Sequence, residues 1–304
     1  MKNYGKYRLM NWFKNIFGKK EVVKNESNVR QVQQFYDKNH DAFIKVYGNV
    51  IQAFRTNNLS SLLDYQFTAA GFEKGNRLLD AGCGICGPAI HFAKNYNATI
   101  DAISVSEKQI EQSKKEVAEN GLKDKVNPVL GDYHRLSSIF RKDEYNGVYF
   151  LESFGHSPNK ERLLDEVWAV LKPGGICYIK DLFLKEAIIP EHKAKINHEV
   201  GRINEAYQYH IADLYEVLKM IRKKGFILNF VKTIDLDLDE FENLAISNEF
   251  QELTGIAKID NWEEYIFPVD FFEIKITKPI HDLSDGLNKY FLQNLYYLQV
   301  KGLE

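Results

Sequence analysis

Short apolar runs alternate with amphipathic stretches through the middle of the chain. The apolar runs predict strands at 77–80, 98–104, 126–130, 145–151, 175–181, 226–233 and 270–277. The amphipathic stretches predict helices at 88–95, 107–120, 160–171 and 211–224. Strands that take turns with helices are typical of an α/β protein with a doubly wound, mostly parallel sheet. In such sheets, ligands bind at the carboxyl ends of the strands.

Further helical patterns flank this central region and interrupt it. Residues 28–70 carry two amphipathic patterns, and the insertions after the fifth and sixth strands are longer than a simple connection needs. We expect both insertions to form helices over the ligand end of the sheet. The predicted organisation is a helical cap or arm at 1–70, a core at 71–184 and 211–234, lid insertions at 185–210 and 235–268, and an edge strand with a C-terminal helix at 269–304.

Residues 1–24 form a basic segment with seven Lys or Arg side chains against one Glu. Apolar residues recur there at helical spacing, namely Leu9, Trp12, Phe13, Ile16 and Phe17. A helix of this kind can lie on a membrane surface. More commonly, such an apolar face packs over the fold or against a second subunit. A peripheral membrane contact and a homodimer therefore both stay open.

The composition of the 304-residue chain is that of an ordinary globular protein, with 44% hydrophobic and 27% charged residues. The formal net charge of −2 exerts no pull toward nucleic acid, so we expect no nucleic-acid partner. Three cysteines make no disulfide framework and suit a reducing compartment. Because the sequence has no signal-peptide pattern and no membrane-spanning run, we expect a cytoplasmic protein.

The segment L-L-D-A-G-C-G-I-C-G at 78–87 joins an apolar run to a helical pattern through a glycine-rich turn. Its glycines let the backbone turn tightly and let a ligand lie against bare main chain. Their spacing also fits the dinucleotide fingerprint, which would indicate an NAD-dependent dehydrogenase. Asp80 argues against that alternative, because a carboxylate there repels a pyrophosphate. It suits a cationic ligand such as a sulfonium or ammonium compound.

Three later segments add to this loop: A-I-S-V-S-E-K-Q at 102–109, V-L-G-D-Y-H at 129–134 and V-L-K-P-G-G at 170–175. In this order and spacing, the four segments resemble the class I S-adenosylmethionine-dependent methyltransferases over roughly residues 30 to 232. S-x-x-Q at 106–109 and F-L-E-S-F-G-H-S at 150–157 resemble the branch that acts on small molecules. That branch includes sterol and isoprenoid C-methyltransferases, phosphoethanolamine N-methyltransferases and cyclopropane synthases. The resemblance implies a Rossmann-like seven-stranded methyltransferase fold with an antiparallel last strand.

The resemblance also implies S-adenosylmethionine as the cofactor. Its methionine portion would be held by Asp80, Gly82, Cys83 and Gly84. At the end of the second strand, Ser104 stands where most of the superfamily has an acidic residue that grips the ribose. Gln109 would then contact the ribose or the methionine with help from Ser104, while Ser106 would cap the helix. The missing acid at this strand end also weakens the NAD alternative.

Two further segments are assigned to the cofactor by the same resemblance. Asp132 would accept from the adenine amino group, and Tyr133 would flank the ring. Tyr36, in the stretch Phe35-Tyr36-Asp37, would contact the methionine end. Ordinary packing is an equally open role for the two tyrosines.

Glu152 and His156 follow the fourth strand, at the edge where the transferred methyl group would lie. Their spacing, E-x-x-x-H, resembles that of the sterol and isoprenoid C-methyltransferases. We expect Glu152 to steady positive charge, and Glu152 or His156 to remove a proton. Alternatively, His156 orients the loop backbone and Glu152 bonds locally. Additional candidate contacts to the methyl acceptor are Phe154, Tyr207 and His210.

The function that these motifs indicate is methyl transfer to a small molecule, most directly C-methylation of an isoprenoid or other apolar natural product. N- or O-methylation of a small amine or hydroxylated metabolite is the alternative within the class. From another class, a non-catalytic S-adenosylmethionine-binding scaffold stays open. Cys83 and Cys86 form C-x-x-C, but a zinc or redox role is disfavoured because no second such pair exists, and we expect no metal.

Overall fold

The structure is a computed structural model that describes residues 28–234, 248–259, 261 and 263–280. The predicted amphipathic helix within the basic segment 1–24, which would end near Gly18, and the predicted C-terminal helix lie outside these residues, as does a large part of the second lid insertion. Within the described ranges, no helix combines the length and the apolar content needed to cross a membrane.

Seven strands form one sheet in the order β3-β2-β1-β4-β5-β7-β6. All neighbours pair in parallel except β7, which is antiparallel to both β5 and β6. The predicted Rossmann-like fold with an antiparallel last strand is therefore confirmed. The strands are β1 (Arg77–Ala81), β2 (Thr99–Ser104), β3 (Val126–Leu130), β4 (Tyr145–Leu151), β5 (Leu171–Leu184), β6 (Ile227–Thr233) and β7 (Val269–Thr277).

The predicted position of the last strand at the edge of the sheet is wrong. β7 lies between β5 and β6, so β6 is the outer strand. The physical reason is burial, because Glu273, Ile274 and Ile276 on β7 are fully buried and need neighbours on both sides. β5 is also longer than predicted, since its final residues continue to pair with the start of β7 as far as Leu184 and Val269.

Helices cover both faces of this sheet. The four central helices predicted from periodicity are confirmed, with ends that shift by up to three residues. The helices are α1 (28–47), α2 (Leu59–Ala70), α3 (Gly87–Tyr96), α4 (Glu107–Glu119), α5 (Leu136–Ile139), α6 (Lys160–Val170), α7 (Pro190–Tyr207), α8 (Leu214–Lys223) and α9 (248–254). α7 fills the first predicted lid insertion.

The core is divided into two layers by the sheet. Successive side chains of a strand point to opposite faces, so neighbouring residues of β4 enter different layers. Tyr149 packs with Phe67 and Phe92 on the side of α2 and α3. Phe150 packs in the other layer, which includes Leu163 of α6 and Val217 of α8. Burial on both faces explains why these strands are almost continuously apolar.

A cap formed by α1 and the connecting residues 48–57 covers one end of the sheet. Its own small core contains Phe35, Phe43, Val46, Tyr47 and Phe250, with the Phe43 and Phe250 rings stacked at 4.5 Å. The connecting segment also approaches the core closely at Gly87, the first residue of α3. A Cβ atom at Gly87 would lie 1.9 Å from the backbone oxygen of Asn49. The third glycine of the loop therefore makes room for the cap rather than for a ligand.

Replacing Gly87 by Ala should displace the cap, because the atom in the way belongs to the backbone. We expect a loss of about 1–3 kcal/mol in the free energy of unfolding, as is typical of overpacking, measured by urea denaturation. Gly201→Ala is the control, since Gly201 lies inside α7 and nothing approaches its added Cβ within 4 Å. That variant should be as stable as the parent or more stable, by up to about 1 kcal/mol. Equal stability of the two variants would contradict the contact.

The outer strands β3 and β6 differ from the central ones. Pro128 lies in the middle of β3, opposite Ala102 of β2, and offers no N–H group for pairing. β6 carries a register irregularity against β7 between Leu228 and Phe230. Regular backbone hydrogen bonding is thus interrupted on both edge strands of the sheet.

Candidate active site

A cavity of about 850 Å³ lies at the carboxyl ends of β1, β2 and β4, beside the point where the strand order reverses. Its roof comes from the cap, through Asn28, Val29, Val32 and Tyr36 of α1 and through Ile51 and Gln52 of the connecting segment. We call it the first cavity. All nine residues predicted to bind the cofactor line it: Tyr36, Asp80, Gly82, Cys83, Gly84, Ser104, Gln109, Asp132 and Tyr133.

Asp80, at the end of β1, is the most unusual group in this cavity. Its side chain is buried, and its Oδ2 atom makes no hydrogen bond of ordinary geometry with the described residues. Burial raises the pKa of Asp80 to about 7, and the nearby hydroxyl of Tyr149, which is likewise unpaired among these residues, offsets this rise only in part. A buried carboxylate oxygen without a partner is costly unless a ligand supplies a cation or a hydrogen-bond donor. The first cavity is therefore built to receive a positively charged group at Asp80.

The conformation of the glycine turn after Asp80 is fixed by its close contact with the loop that follows β4. Gly82 has φ of +99°, which favours glycine, and a Cβ there would lie 2.4 Å from the Cβ of Ser153. Ser153 in turn donates from its Oγ to the oxygen of Ala81 at 2.5 Å. The turn is thus locked against the loop that follows β4.

A chain of hydroxyl and amide groups closes the end of β2. Ser104 donates from Oγ to Oε1 of Gln109 at 2.8 Å, which leaves the Nε2 group of Gln109 for a ligand. The predicted N-cap is confirmed, because Ser106 Oγ accepts from the backbone N of Gln109 at 3.1 Å. The same hydroxyl donates to Asp37 of α1 at 2.6 Å. The cap is thereby tied to the cavity wall.

Asp132 and Tyr133 form the wall that follows β3. Asp132 Oδ1 accepts from the backbone N of His134 at 2.8 Å and contacts His134 Nδ1 at 2.7 Å. Burial alone would raise the pKa of Asp132, but these contacts outweigh it and hold the pKa below its usual value. Asp132 is therefore an anionic acceptor. Tyr133 donates its hydroxyl to the oxygen of Ser153 at 3.1 Å, so its ring is fixed in the wall.

Glu152 lies deeper than a free catalytic base would. Its carboxylate accepts from the backbone N atoms of Ala53 at 2.6 Å and Phe54 at 3.1 Å, and it forms an ion pair with Lys180. Both side chains of the pair are almost fully buried. The alternative in which Glu152 bonds locally therefore agrees with its contacts. The ammonium of Lys180 also offsets much of the negative charge.

His156 forms a pair with Tyr36 between the cap and the core. Its Nδ1 lies 3.0 Å from the backbone oxygen of Gln208, which can only accept, so Nδ1 carries the proton. Nε2 then accepts from the hydroxyl of Tyr36 at 2.8 Å. Burial lowers the pKa of His156 to about 4 and raises the pKa of Tyr36. His156 is thus a neutral imidazole whose Nε2 lone pair is engaged by the hydroxyl of Tyr36.

A second cavity of about 1150 Å³ adjoins the first. The two share three residues in their walls, Tyr36, Ile51 and Glu152. The remaining wall of the second cavity is largely apolar or aromatic and includes Phe43, Tyr47, Leu182, Ile203, Tyr207, Tyr209, Tyr265, Phe267 and Phe271. The shared wall marks the point where groups from the two cavities can meet.

The three further candidates for acceptor contact differ in position. Tyr207 lines the second cavity. Phe154 is fully buried in the core layer under α6 and is absent from the walls of both cavities. His210 contacts Asn28 at 2.7 Å, and Asn28 lines the first cavity. Only Tyr207 is thus in direct reach of a ligand in the second cavity.

Sequence reasoning missed Lys180, Gln52 and Tyr209. Lys180 is the first charged residue after the apolar run of β5, and a charge at such a strand end is the signal that could have found it. Gln52 and Tyr209 lie in irregular segments, where no periodicity of apolar residues indicates which way a side chain points. Tyr209 donates its hydroxyl to the backbone oxygen of Glu152 at 2.7 Å.

Cys83, Cys86 and Cys177 are free and buried. Burial raises the pKa of Cys83, so its thiol is not an activated nucleophile. In the part of the chain that the structure describes, no group of three or more His, Cys, Asp or Glu side chains could hold a metal ion. The C-x-x-C pair is therefore part of the loop packing.

A family described as a methyltransferase domain matches residues 78–175. The sterol 24-C-methyltransferase of Aspergillus fumigatus is 31% identical over 126 residues, which are 40% of this chain and 33% of that enzyme. The chain thus spans about a third of the length of that curated relative. The resemblance to class I methyltransferases seen in the motifs is confirmed, and it is centred on the first cavity.

Solved structures give the same fold over more of the chain. The [4+2]-cyclase SpnF is similar with a TM-score of 0.68 and 19% identity, covering 83% of this chain and 97% of that one. The geranyl diphosphate C-methyltransferase of Streptomyces coelicolor A3(2) has a TM-score of 0.58 and 17% identity, covering 72% and 78%. At these identities, the likeness concerns the fold alone.

Proposed function

We propose that this chain is an S-adenosylmethionine-dependent methyltransferase that methylates a carbon atom of an apolar, isoprenoid-type small molecule. The observation that carries the proposal is the unpaired, buried Oδ2 of Asp80 in a cavity that shares a wall with an aromatic one. The first cavity would take the methyl donor and the second the acceptor. The match of residues 78–175 to a methyltransferase domain supports this division.

The residues of the first cavity fit the donor. Asp80 would neutralise its ammonium group, and that ammonium would supply the cationic partner that Asp80 lacks among the described residues. The Nε2 group of Gln109 would donate to the ribose hydroxyls in place of the usual carboxylate, and Asp132 would accept from the adenine amino group. When bound, the donor supplies an electrophilic methyl group. Every other requirement of the reaction falls on residues of this chain.

Those requirements are alignment, exclusion of water and removal of one proton. Tyr36 and Ile51 lie at the shared wall, where they would align the acceptor with the donor and keep water out. Methylation of an alkene leaves a cation on the acceptor, which aromatic rings such as Tyr36 and Tyr207 would stabilise. The ion pair with Lys180 makes Glu152 the lesser contributor to this stabilisation.

His156 is the proposed proton acceptor, acting through the hydroxyl of Tyr36. Nε2 of His156 accepts from that hydroxyl, so a proton taken up by the tyrosine oxygen can be passed to the imidazole. A weak base suffices, because a proton next to a cationic carbon is very acidic. The low pKa of His156 keeps the imidazole neutral and ready to accept near neutral pH.

Relatives and neighbours support the choice of acceptor class. The first curated relatives are sterol 24-C-methyltransferases, and one neighbour in fold is described with geranyl diphosphate. The aromatic lining of the second cavity suits such molecules. Phosphoethanolamine N-methyltransferase from Haemonchus contortus, a further neighbour in fold, keeps N-methylation as the second candidate. A cytoplasmic location, natural-product biosynthesis, a homodimer and a membrane contact of the basic N-terminus stay predictions.

The test is incubation of the full chain with methyl-labelled S-adenosylmethionine and a panel of sterols, isoprenoid diphosphates, amines and phenols. We expect label in a sterol or isoprenoid product, with one S-adenosylhomocysteine formed per product. Mass spectrometry would measure both the labelled product and S-adenosylhomocysteine. If label appears only in amines or phenols, the proposed activity is N- or O-methylation and not C-methylation. Tight binding of the donor in calorimetry without transfer to any acceptor would favour a scaffold protein. The absence of any binding would overturn the proposal.

A further inference from the structure

Lys180 is a fully buried lysine whose partners all belong to one junction. Its Nζ donates to Oε1 of Gln52 at 2.7 Å and to the backbone oxygen of Phe54 at 2.5 Å, and it pairs with Glu152. The three acceptors use all three protons of the ammonium group. Two of them lie on the connecting segment of the cap.

Glu152 holds the same segment from its other side. Its two carboxylate oxygens accept from the backbone N atoms of Ala53 and Phe54. Residues 52–54 are thus bound through a side chain, two N–H groups and a carbonyl, all to one buried ion pair. These residues belong to neither a helix nor a strand. The paired amides of Gln52 and Gln66 and the stacking of Phe54 on Phe271 also hold the segment, but the backbone N–H groups of Ala53 and Phe54 and the Phe54 carbonyl bond to the ion pair.

This segment forms the partition between the two cavities. Ile51 lines both, Gln52 lines the first and Ala53 lines the second. A shift of the segment would therefore change the shape of both cavities at once. It would also admit water to the place where they meet.

We propose that the Lys180–Glu152 ion pair is a latch that holds residues 51–54 as the wall between the two cavities. Lys180 is then a positioning residue for methyl transfer, and the main role of Glu152 is to hold the wall. The catalytic part of this inference rests on the proposed function, whereas the mechanical part does not.

A matched control exists at the opposite end of the sheet. Lys278 is also a buried lysine, and its Nζ donates to Oδ1 of Asp143 at 2.6 Å and to the backbone oxygens of Trp168 and Leu171 at 2.8 and 2.7 Å. It lines neither cavity. Lys278→Met therefore removes an equivalent buried ammonium without touching the wall. It separates general destabilisation from loss of the latch.

The experiment is hydrogen exchange on the ligand-free full chain, read by mass spectrometry on peptides that cover residues 50–57 and the central strands. In Lys180→Met, amide exchange at Ala53 and Phe54 should accelerate at least about tenfold more than exchange in β1 or β4. Lys278→Met should leave the 50–57 peptide at the parent rate relative to the strands. The double variant Lys180→Met with Glu152→Gln removes both charges and guards against a single variant that does not fold.

A second readout follows the release of S-adenosylhomocysteine by stopped flow. Lys180→Met should release it at least about tenfold faster and should raise KM for both substrates more than it lowers kcat. If the 50–57 peptide exchanges as slowly in Lys180→Met and the double variant as in Lys278→Met, the latch is refuted. If the parent protein binds no S-adenosylhomocysteine, the proposed function fails, but the exchange result still decides the latch.

Discussion

Replacing Asp80 by Asn should weaken binding of S-adenosylmethionine by about 10²–10³-fold. The carboxylate is buried, and its Oδ2 has no partner among the described residues, so a bound ammonium would be its main counter-charge. Loss of a buried, charge-assisted contact costs about 3–4 kcal/mol, which gives this factor. Isothermal titration calorimetry with the donor and with S-adenosylhomocysteine is the measurement. An Asn variant that keeps the parent affinity would refute the assignment of Asp80.

The same variant should be more stable than the parent in the absence of ligand at pH 8. The folded-state pKa of Asp80 is about 7, which lies above that of the unfolded chain, so the folded protein binds more protons between about pH 4 and 7. The free energy of unfolding contributed by this group therefore falls as pH rises through that window, by on the order of 4 kcal/mol. Asn removes this penalty.

Asp132→Asn is the matched control, because the pKa of Asp132 lies below its usual value. Its ionised form stabilises the folded state at neutral pH, so this variant should lose stability at pH 8 rather than gain it. Thermal unfolding at pH 5 and pH 8 would distinguish the two carboxylates. If both variants shift in the same direction at pH 8, the electrostatic assignment of Asp80 is wrong.

Replacing His156 by Gln should lower kcat by about 10²–10⁴-fold, the usual contribution of a general base. Gln can still accept from Tyr36 and donate to the backbone oxygen of Gln208, so the cap should stay in place. Affinity for the donor should therefore change little. Steady-state kinetics and calorimetry on the same preparation would test both statements, with Tyr36→Phe as the partner variant.

The pH dependence supplies a further check on His156. Burial lowers its pKa to about 4, below the unfolded value, so the free energy of unfolding should fall as pH falls from about 6.5 through 4. His156→Gln should lose part of this acid sensitivity. His91→Gln is the control, since His91 pairs with Asp64 and lies in neither cavity wall. A His156→Gln variant with the parent kcat would remove His156 from the reaction.

The sheet and the first cavity could be predicted from sequence because both depend on local patterns. Apolar runs give buried parallel strands, and a carboxylate followed by a glycine turn can arise within a few residues. Asp80, Ser104 and Asp132 each end or follow a strand, so the parallel sheet brings them to one edge. Strand order accounts for their grouping, and the family resemblance assigned each of them its role.

The contacts of Glu152 could not be predicted in the same way. They depend on Lys180, 28 positions later, and on Ala53 and Phe54, about 100 positions earlier. No periodicity links a coil segment to a strand end at such separations. The motif correctly drew attention to Glu152, but its partners decide what the carboxylate can do.

The placement of β7 was missed for a related reason. An antiparallel strand can lie between two other strands or at the edge of the sheet. The alternation of apolar and polar residues along the strand is the same in both positions, so it does not distinguish them. Glu273 lies buried in this strand, where it accepts from Tyr65 at 2.6 Å and from Tyr178 inside the sheet. The burial of such a carboxylate cannot be predicted from the sequence, because its hydrogen-bond partners are brought to it only by the fold.

The interrupted margins of the sheet bear on how this protein behaves at high concentration. An open sheet offers its outermost strand as a template on which a strand of another molecule can add, and this is a route to fibrils. Pro128 removes an N–H group from the middle of that template on β3, and the irregular register of β6 distorts the other one. The fold therefore carries its own protection against edge-to-edge aggregation.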